Sequence, residues 1–129
     1  LMSDGECDEG SIWEAAMFAS HHNLNNLIAI IDYNNLQSLD TIKNTLGLEP
    51  LTKKWESFGW NIIQVDGHNH EDIFQAFELK RNKQEKPTVI IANTIKGKGV
   101  SFMENKVLWH YRTALNEEFN QAMKELKNS

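Results

Sequence analysis

Apolar and polar positions fall in blocks along this chain, and the period changes from continuous to helical and back. Leu1-Met2 runs straight into the turn residues Ser3, Asp4 and Gly5, as the last part of a buried strand would. Ile12, Ala15, Ala16 and Ala19 then recur at helical spacing, with Trp13 and Met17 beside them. Ser11 and Glu14 have the S-x-x-E form of a capping box, which predicts a helix from Ser11 to about His21, buried over much of its circumference. Leu27-Ile28-Ala29-Ile30-Ile31 is an unbroken apolar run, as expected of a strand covered on both faces.

A polar loop spans 34–40. Pro50 opens a short helix that turns Trp55 and Phe58 inward and stops at Gly59. Asn61–Val65 reads as the next strand, closed by the turn Asp66-Gly67. Residues 70–82 form an amphipathic helix with Ile73, Phe74, Ala76 and Phe77 on its inner side. Pro87 restarts the chain into a fully apolar strand, Thr88–Ala92. Residues 96–113 show no period, and so long a loop in a compact domain is usually functional. A last helix, about 116–127, is expected to pack Phe119, Ala122, Met123 and Leu126. Strands alternating with helices predict an α/β fold, a doubly wound parallel sheet with helices on both faces.

Composition changes this picture little. A chain of 129 residues, 40% apolar and 24% charged, reads as a single globular domain over residues 1–129. A net charge of -5 leaves no basic excess to neutralise phosphates, so no nucleic-acid partner is expected. Cys7 is the sole cysteine, which excludes a disulfide framework and a cysteine-based zinc site. No segment reads as a signal peptide or a membrane span, so the expected location is cytoplasmic, without a membrane partner. Leu1-Met2 starts inside a strand, so the chain is expected to be a fragment or subunit whose upstream segment is missing or supplied by another chain.

The candidate chemistry sits at two turns. Ligands of such sheets collect outside the carboxyl ends of the strands. Asp4 stands at the end of the first strand and Asn34 at the end of the second. If those strands are neighbours, one carboxylate and one amide oxygen meet, and with a loop carbonyl they suit a hard cation such as Mg²⁺. Gly5 lets a diphosphate approach the backbone amides. Asp-Gly is otherwise an ordinary turn and Asn34-Asn35 an ordinary loop, and spacing alone does not name the diphosphate.

The stretch from Asp4-Gly5 to Asn34 resembles the thiamine-diphosphate motif, G-D-G followed about thirty residues later by Asn. More specifically, GECDEGSIWEA, NLIAIIDYN, ESFGW, VDGH, TIKGKGVSFMENK and WH, in that order, resemble the N-terminal cofactor-binding domain of transketolase. The resemblance implies the thiamine-diphosphate-binding fold and a divalent ion, Mg²⁺ or in its place Ca²⁺ or Mn²⁺. Asp4, Asn34 and the main-chain carbonyl of Leu36 would hold that ion, with Gly5 and Glu6 against the diphosphate. The D-x-N pattern falls on Asp32-Tyr33-Asn34 and favours Asn34 over Asn35. Glu9 and Glu14 match carboxylates in a network that links two active sites near a dimer interface, although Glu14 also fits the capping box and Glu9 a first-turn acid. His110 matches a histidine beside the diphosphate and the substrate's reacting carbon, a place for proton transfer. His68 and His70 flank a turn and read as caps or surface groups. His21 and His22, on different helix faces, do not read as a metal pair.

The implied activity is transfer of a two-carbon ketol unit between sugars or sugar phosphates, with the cofactor as electron sink. Three departures qualify it. Ser3 stands where the first glycine of G-D-G is usual, and Tyr111-Arg112-Thr113 follows Trp109-His110 where glycine and proline are usual, which leaves the sugar acceptor open, a modified sugar included. The pyrimidine-binding domain, with the family's catalytic glutamate, is expected to lie outside this chain. The chain is therefore expected to act only with a pyrimidine-domain partner subunit, in a dimer of heteromers. The alternatives are another thiamine-diphosphate enzyme such as deoxyxylulose-phosphate synthase, a non-catalytic cofactor-binding or assembly subunit, and a flavodoxin-like binding domain needing no Mg²⁺.

Overall fold

The computed structural model describes residues 1–82 and 85–128. Its elements in chain order are β1 (Met2–Ser3), a 3-10 turn (Gly5–Asp8), α1 (Gly10–His21), β2 (Ile28–Tyr33), α2 (Ile42–Thr45), α3 (Leu51–Ser57), β3 (Asn61–Asp66), α4 (His70–Asn82), β4 (Thr88–Asn93), a second 3-10 turn (Val107–His110) and α5 (Glu117–Lys127). The four strands form one sheet in the order β1-β2-β4-β3, and every neighbouring pair is parallel.

Side chains alternate across a strand, so each strand feeds two cores. Ala29 and Ile31 of β2 and Val89 and Ile91 of β4 face one layer, with Ala16 and Ala19 of α1, Leu51 and Trp55 of α3, and Trp60. Ile90 and Ala92 face the other, with Val65 of β3 and Ala76 of α4. Helices thus lie on both faces, as the alternation of strand and helix patterns predicts. The first layer is aromatic: the Trp55 ring is 5.4 Å from Trp13 and 4.9 Å from Trp60, centroid to centroid. Trp13 Nε1 donates to the Cys7 carbonyl at 2.8 Å, pinning the first loop to α1. Gly59 takes φ +86° beyond α3, the left-handed stop that its place in the sequence predicts.

Four expectations need correction. The helix α1 starts at Gly10 with Glu9 at its N-cap and no side-chain capping bond, so Ser11 and Glu14 form no capping box. Ser11 lies one position inside the first turn, where its hydroxyl is not needed. The reciprocal S-x-x-E contact forms instead at Ser3 and Glu6: the Ser3 N–H donates to Glu6 Oε2 at 2.7 Å and the Glu6 N–H to Ser3 Oγ at 3.2 Å. Burial of α1 is narrower than expected, with Ala16 and Ala19 covered and Ala15, Met17 and Phe18 exposed, because the sheet covers one face alone. In α4 and α5 the small residues Ala76 and Ala122 are buried, whereas Phe74 is 56% and Phe119 52% exposed. Alanine lets each helix come close, and the larger side chains splay past the contact.

Residues 96–106 fold into consecutive tight turns. Gly97, at φ +76°, has no room for a side chain, since a Cβ there would lie 2.8 Å from Met103. The segment is tied to α5 by Glu125, which accepts from the Ser101 N–H and hydroxyl. The Val107–His110 turn is held by Trp109 Nε1, which donates to the Phe102 carbonyl at 3.0 Å.

Candidate cofactor and cation site

The parallel pairing of β1 with β2 sets Ser3 opposite Asp32, so the next residue, Asp4, arrives beside Asn34. The Asp4 N–H extends the ladder to the Asp32 carbonyl at 3.1 Å. Asp4 is 1% exposed. Its Oδ2 accepts the N–H groups of Asn34 at 2.9 Å and Asn35 at 2.8 Å. Oδ1 is buried and makes no hydrogen bond to the protein. Burial holds the Asp4 carboxyl above its ordinary range despite the amide bonds that favour its charged form, and the nearby Asp32 charge adds to the rise.

Asn34 Oδ1 accepts the Leu36 N–H at 3.0 Å, an Asx turn that curls the backbone after Asn34. Asn35, at φ +64°, faces solvent. A cavity of about 340 Å³ opens in front of these groups, and Asp4, Gly5, Glu6, Glu9, Asn34, Leu36 and His110 line it. The fold therefore gathers into one pocket all the candidate residues except Glu14, which is exposed on α1. The Glu6 carboxylate is engaged by the N–H and hydroxyl of Ser3, so serine at this position braces the turn through its side chain. Cys7, directly behind, is buried, and its thiol is pushed up to about 12 by burial and then by the Asp4 charge, which suits packing and not nucleophilic chemistry.

Sequence reasoning passed over Asp32, Gln37, Ser38 and Lys96, which also line the cavity. Asp32 Oδ1 accepts from the Thr94 hydroxyl, which holds one carboxylate beside another. Its place in Asp32-Tyr33-Asn34, at the end of an apolar strand, was the available signal. Gln37 Nε2 donates to Asp8 Oδ2 at 2.7 Å and fastens the Asn34 loop to the first loop. Lys96 brings a cation to the cavity lining, at the start of the KGKG run. A second hollow of about 510 Å³ shares Asp32, Asn34 and Lys96 and extends past His68 and Lys98. His68 Nε2 accepts the Ile95 N–H at 2.7 Å, so His68 caps a backbone group, in line with its reading from the sequence.

The donor set can be tested against the groups the motif implies. Among the described residues no cluster of three or more His, Cys, Asp or Glu side chains could hold a metal. Lining the same cavity are Asp4, with one buried carboxylate oxygen that has no partner, Asn34, whose amide oxygen has a lone pair to spare, and Leu36, which also carries a main-chain carbonyl: side chains and backbone that offer hard oxygen donors. Such a set fits Mg²⁺ completed by waters or phosphate oxygens. An ion there would give Asp4 Oδ1 the partner that it lacks.

Known proteins resemble the chain along nearly its whole length. The family described as "Transketolase, thiamine diphosphate binding domain" matches residues 1–127. The chain is 46% identical over 127 residues to the 6-deoxy-6-sulfo-D-fructose transketolase subunit SqwG of Clostridium sp. (strain MSTE9), covering 98% of this chain and 46% of that protein. It is 41% identical over 126 residues to an apulose-4-phosphate transketolase subunit of Phocaeicola vulgatus, covering 98% of this chain and 45% of the relative. The chain thus spans less than half the length of these curated relatives. Its fold superposes on a transketolase from Campylobacter jejuni subsp. jejuni with a TM-score of 0.90 at 29% identity, over 98% of this chain and 20% of that one. The chain belongs to the transketolase family, within its thiamine-diphosphate-binding domain.

Proposed function

We propose that this chain is the diphosphate-binding part of a Mg²⁺-dependent transketolase, which transfers a two-carbon ketol unit between sugars or sugar phosphates. The observation that carries the reading is the buried Asp4 carboxylate, with one oxygen satisfied by two backbone amides and the other unpartnered beside Asn34. Mg²⁺ would be held by Asp4 Oδ1, Asn34 Oδ1 and the Leu36 carbonyl. Gly5 gives a diphosphate access to the backbone, and Glu6 stabilises the turn at its edge. Lys96, on the cavity lining, would offset the diphosphate charge. Thiamine diphosphate, when bound, supplies the electron sink for breaking and remaking a carbon–carbon bond beside a carbonyl.

The chain's own residues supply position, charge and a proton site. His110, on the cavity wall, would hold or move a proton at the substrate oxygens. Glu9 borders the cavity, and Glu14 projects from α1 toward a partner, so the two carboxylates extend the site toward an interface. The exposed Met17 and Phe18 flank that path, which supports assembly with a pyrimidine-binding subunit or domain into a dimer of heteromers. Relatives named for a sulfonated deoxyketose and for apulose-4-phosphate support a modified or phosphorylated sugar as substrate. No helix among the described residues is long and apolar enough to cross a membrane, compatible with a cytoplasmic enzyme.

Calorimetric titration of thiamine diphosphate into the assembled protein tests the reading, with and without Mg²⁺. Saturable binding that requires Mg²⁺ and falls at least about 100-fold in Asp4→Ala is expected, as for loss of a first ligand to a metal. Binding indifferent to Mg²⁺ and to Asp4→Ala would overturn it. Binding without ketol transfer would leave a cofactor-holding subunit.

A further inference from the structure

The loop that carries Leu36 and the turn that carries His110 are far apart in sequence, and a side chain joins them. The Tyr111 hydroxyl donates to the Ser38 carbonyl, a contact between residues separated by 73 positions. Ser38 and His110 both line the cavity. The His110 ring lies edge-on to Tyr111, with centroids 5.1 Å apart. Arg112, the next residue, turns the other way: its guanidinium lies 4.6 Å from the Trp109 ring centroid and pairs with Glu118.

The other fastenings of the 34–41 loop lead to the Asp4 side. Asp4 Oδ2 accepts from Asn34 and Asn35, and Gln37 reaches Asp8. The Gln37 N–H donates to the Asp40 carbonyl at 2.8 Å and the Ile42 N–H to the Asn35 carbonyl at 3.1 Å, which closes the loop on itself. Among the described residues, Tyr111 is what ties the loop to the His110 side.

We infer that Tyr111 is a positioning residue, a strap whose phenol fixes the distance between the Leu36 loop and His110 at the cavity. The inference rests on the proposed cofactor site. Its consequence is that the cation-side loop and the proton-handling side do not move independently. A bound diphosphate then meets both walls already set, and less ordering is left for binding to supply. Because Tyr111 touches Ser38 and His110 and not the proposed ligands, its effect belongs on cofactor affinity and loop order more than on the chemical step.

The test is Tyr111→Phe, which removes the hydroxyl and keeps the ring, in the assembled protein, with Arg112→Ala as control. Hydrogen–deuterium exchange without cofactor should quicken over 36–41 and 107–111 in Tyr111→Phe and stay unchanged over 36–41 in Arg112→Ala. The Mg²⁺-dependent affinity for thiamine diphosphate should weaken about threefold to tenfold, the worth of one ordinary hydrogen bond. Turnover at saturating cofactor should be preserved, so that the effect sits in the cofactor's KM and not in kcat. Unchanged exchange over 36–41 with unchanged affinity would overturn the strap and leave the site as proposed. If the unmutated protein fails to bind thiamine diphosphate, the failure belongs to the proposed function, and loop exchange still decides whether Tyr111 ties the two segments.

Discussion

One wall of the cavity is made from the sheet itself, and the other from a loop that hangs beside it. On the first, Asp4 continues the β1–β2 ladder, is buried, and accepts two backbone amides. On the second, His110 is exposed and its turn is held by side-chain bonds from Trp109 and Tyr111. The difference matches what each wall would do. Holding a divalent ion needs oxygens fixed to within a few tenths of an ångström, which the sheet register provides. A proton-handling group needs reach and water access, which an exposed turn on a few ties provides.

Changing one wall at a time sharpens that contrast. The largest effect is expected from His110→Ala, which under the proposed function should lower ketol transfer about 100-fold, the usual scale for losing a general acid–base group. Steady-state kinetics over cofactor concentration should show a larger loss in kcat than in cofactor affinity. Loss of affinity alone would move His110 from proton handling to cofactor holding.

A smaller effect separates the turn from its cargo. Ser3→Ala removes the hydroxyl that accepts the Glu6 N–H and should cost about 1 kcal/mol of unfolding free energy, read by urea denaturation. Ser3→Gly, the residue usual in the G-D-G motif, should cost only a few tenths. No loss in Ser3→Ala would show that the Ser3 hydroxyl does not brace the turn.

The smallest effect has the least obvious sign. Burial raises the Asp4 carboxyl above its ordinary value of 3.8. The folded state therefore binds this proton more tightly than the unfolded chain. Without ligand, Asp4 favours the fold at acid pH, and its contribution turns unfavourable as pH rises from 3.8 through the folded-state value. At neutral pH Asp4→Asn keeps an acceptor for the two amides and removes a buried charge. Its ligand-free melting temperature should rise by about 3 °C while stabilisation by Mg²⁺ with thiamine diphosphate disappears. A fall in the ligand-free melting temperature would mean that the charge-assisted amide bonds outweigh desolvation.

Legibility in the sequence followed the same division. The buried wall was readable because its parts are local: an apolar run predicts the strand, and the residue just after it lies at the sheet edge. Asp4 and Asn34 could be paired once β1 and β2 were supposed adjacent, and Met2 does pair with Ile31. Lys96 and Ser38 were passed over, because a lysine in a glycine-rich loop and a serine in a polar loop carry no period that points inward. The capping box was misplaced because Ser3-x-x-Glu6 and Ser11-x-x-Glu14 have the same form. The choice between them depends on which serine ends a strand and which falls inside a helix.

The sequence by itself determined the alternation of strands and helices, the parallel sheet, and the motif residues at its carboxyl edge. Periodicity and turn chemistry are properties of neighbours along the chain, and the chain displays them directly. Tertiary structure alone decided that Asp4 keeps one oxygen unpartnered, that Glu6 is held by Ser3, that Glu14 stands apart from the cavity, and that Tyr111 reaches Ser38. These depend on distances between segments tens of residues apart, set by sheet register and by how closely alanines let helices approach, and no local pattern encodes such distances.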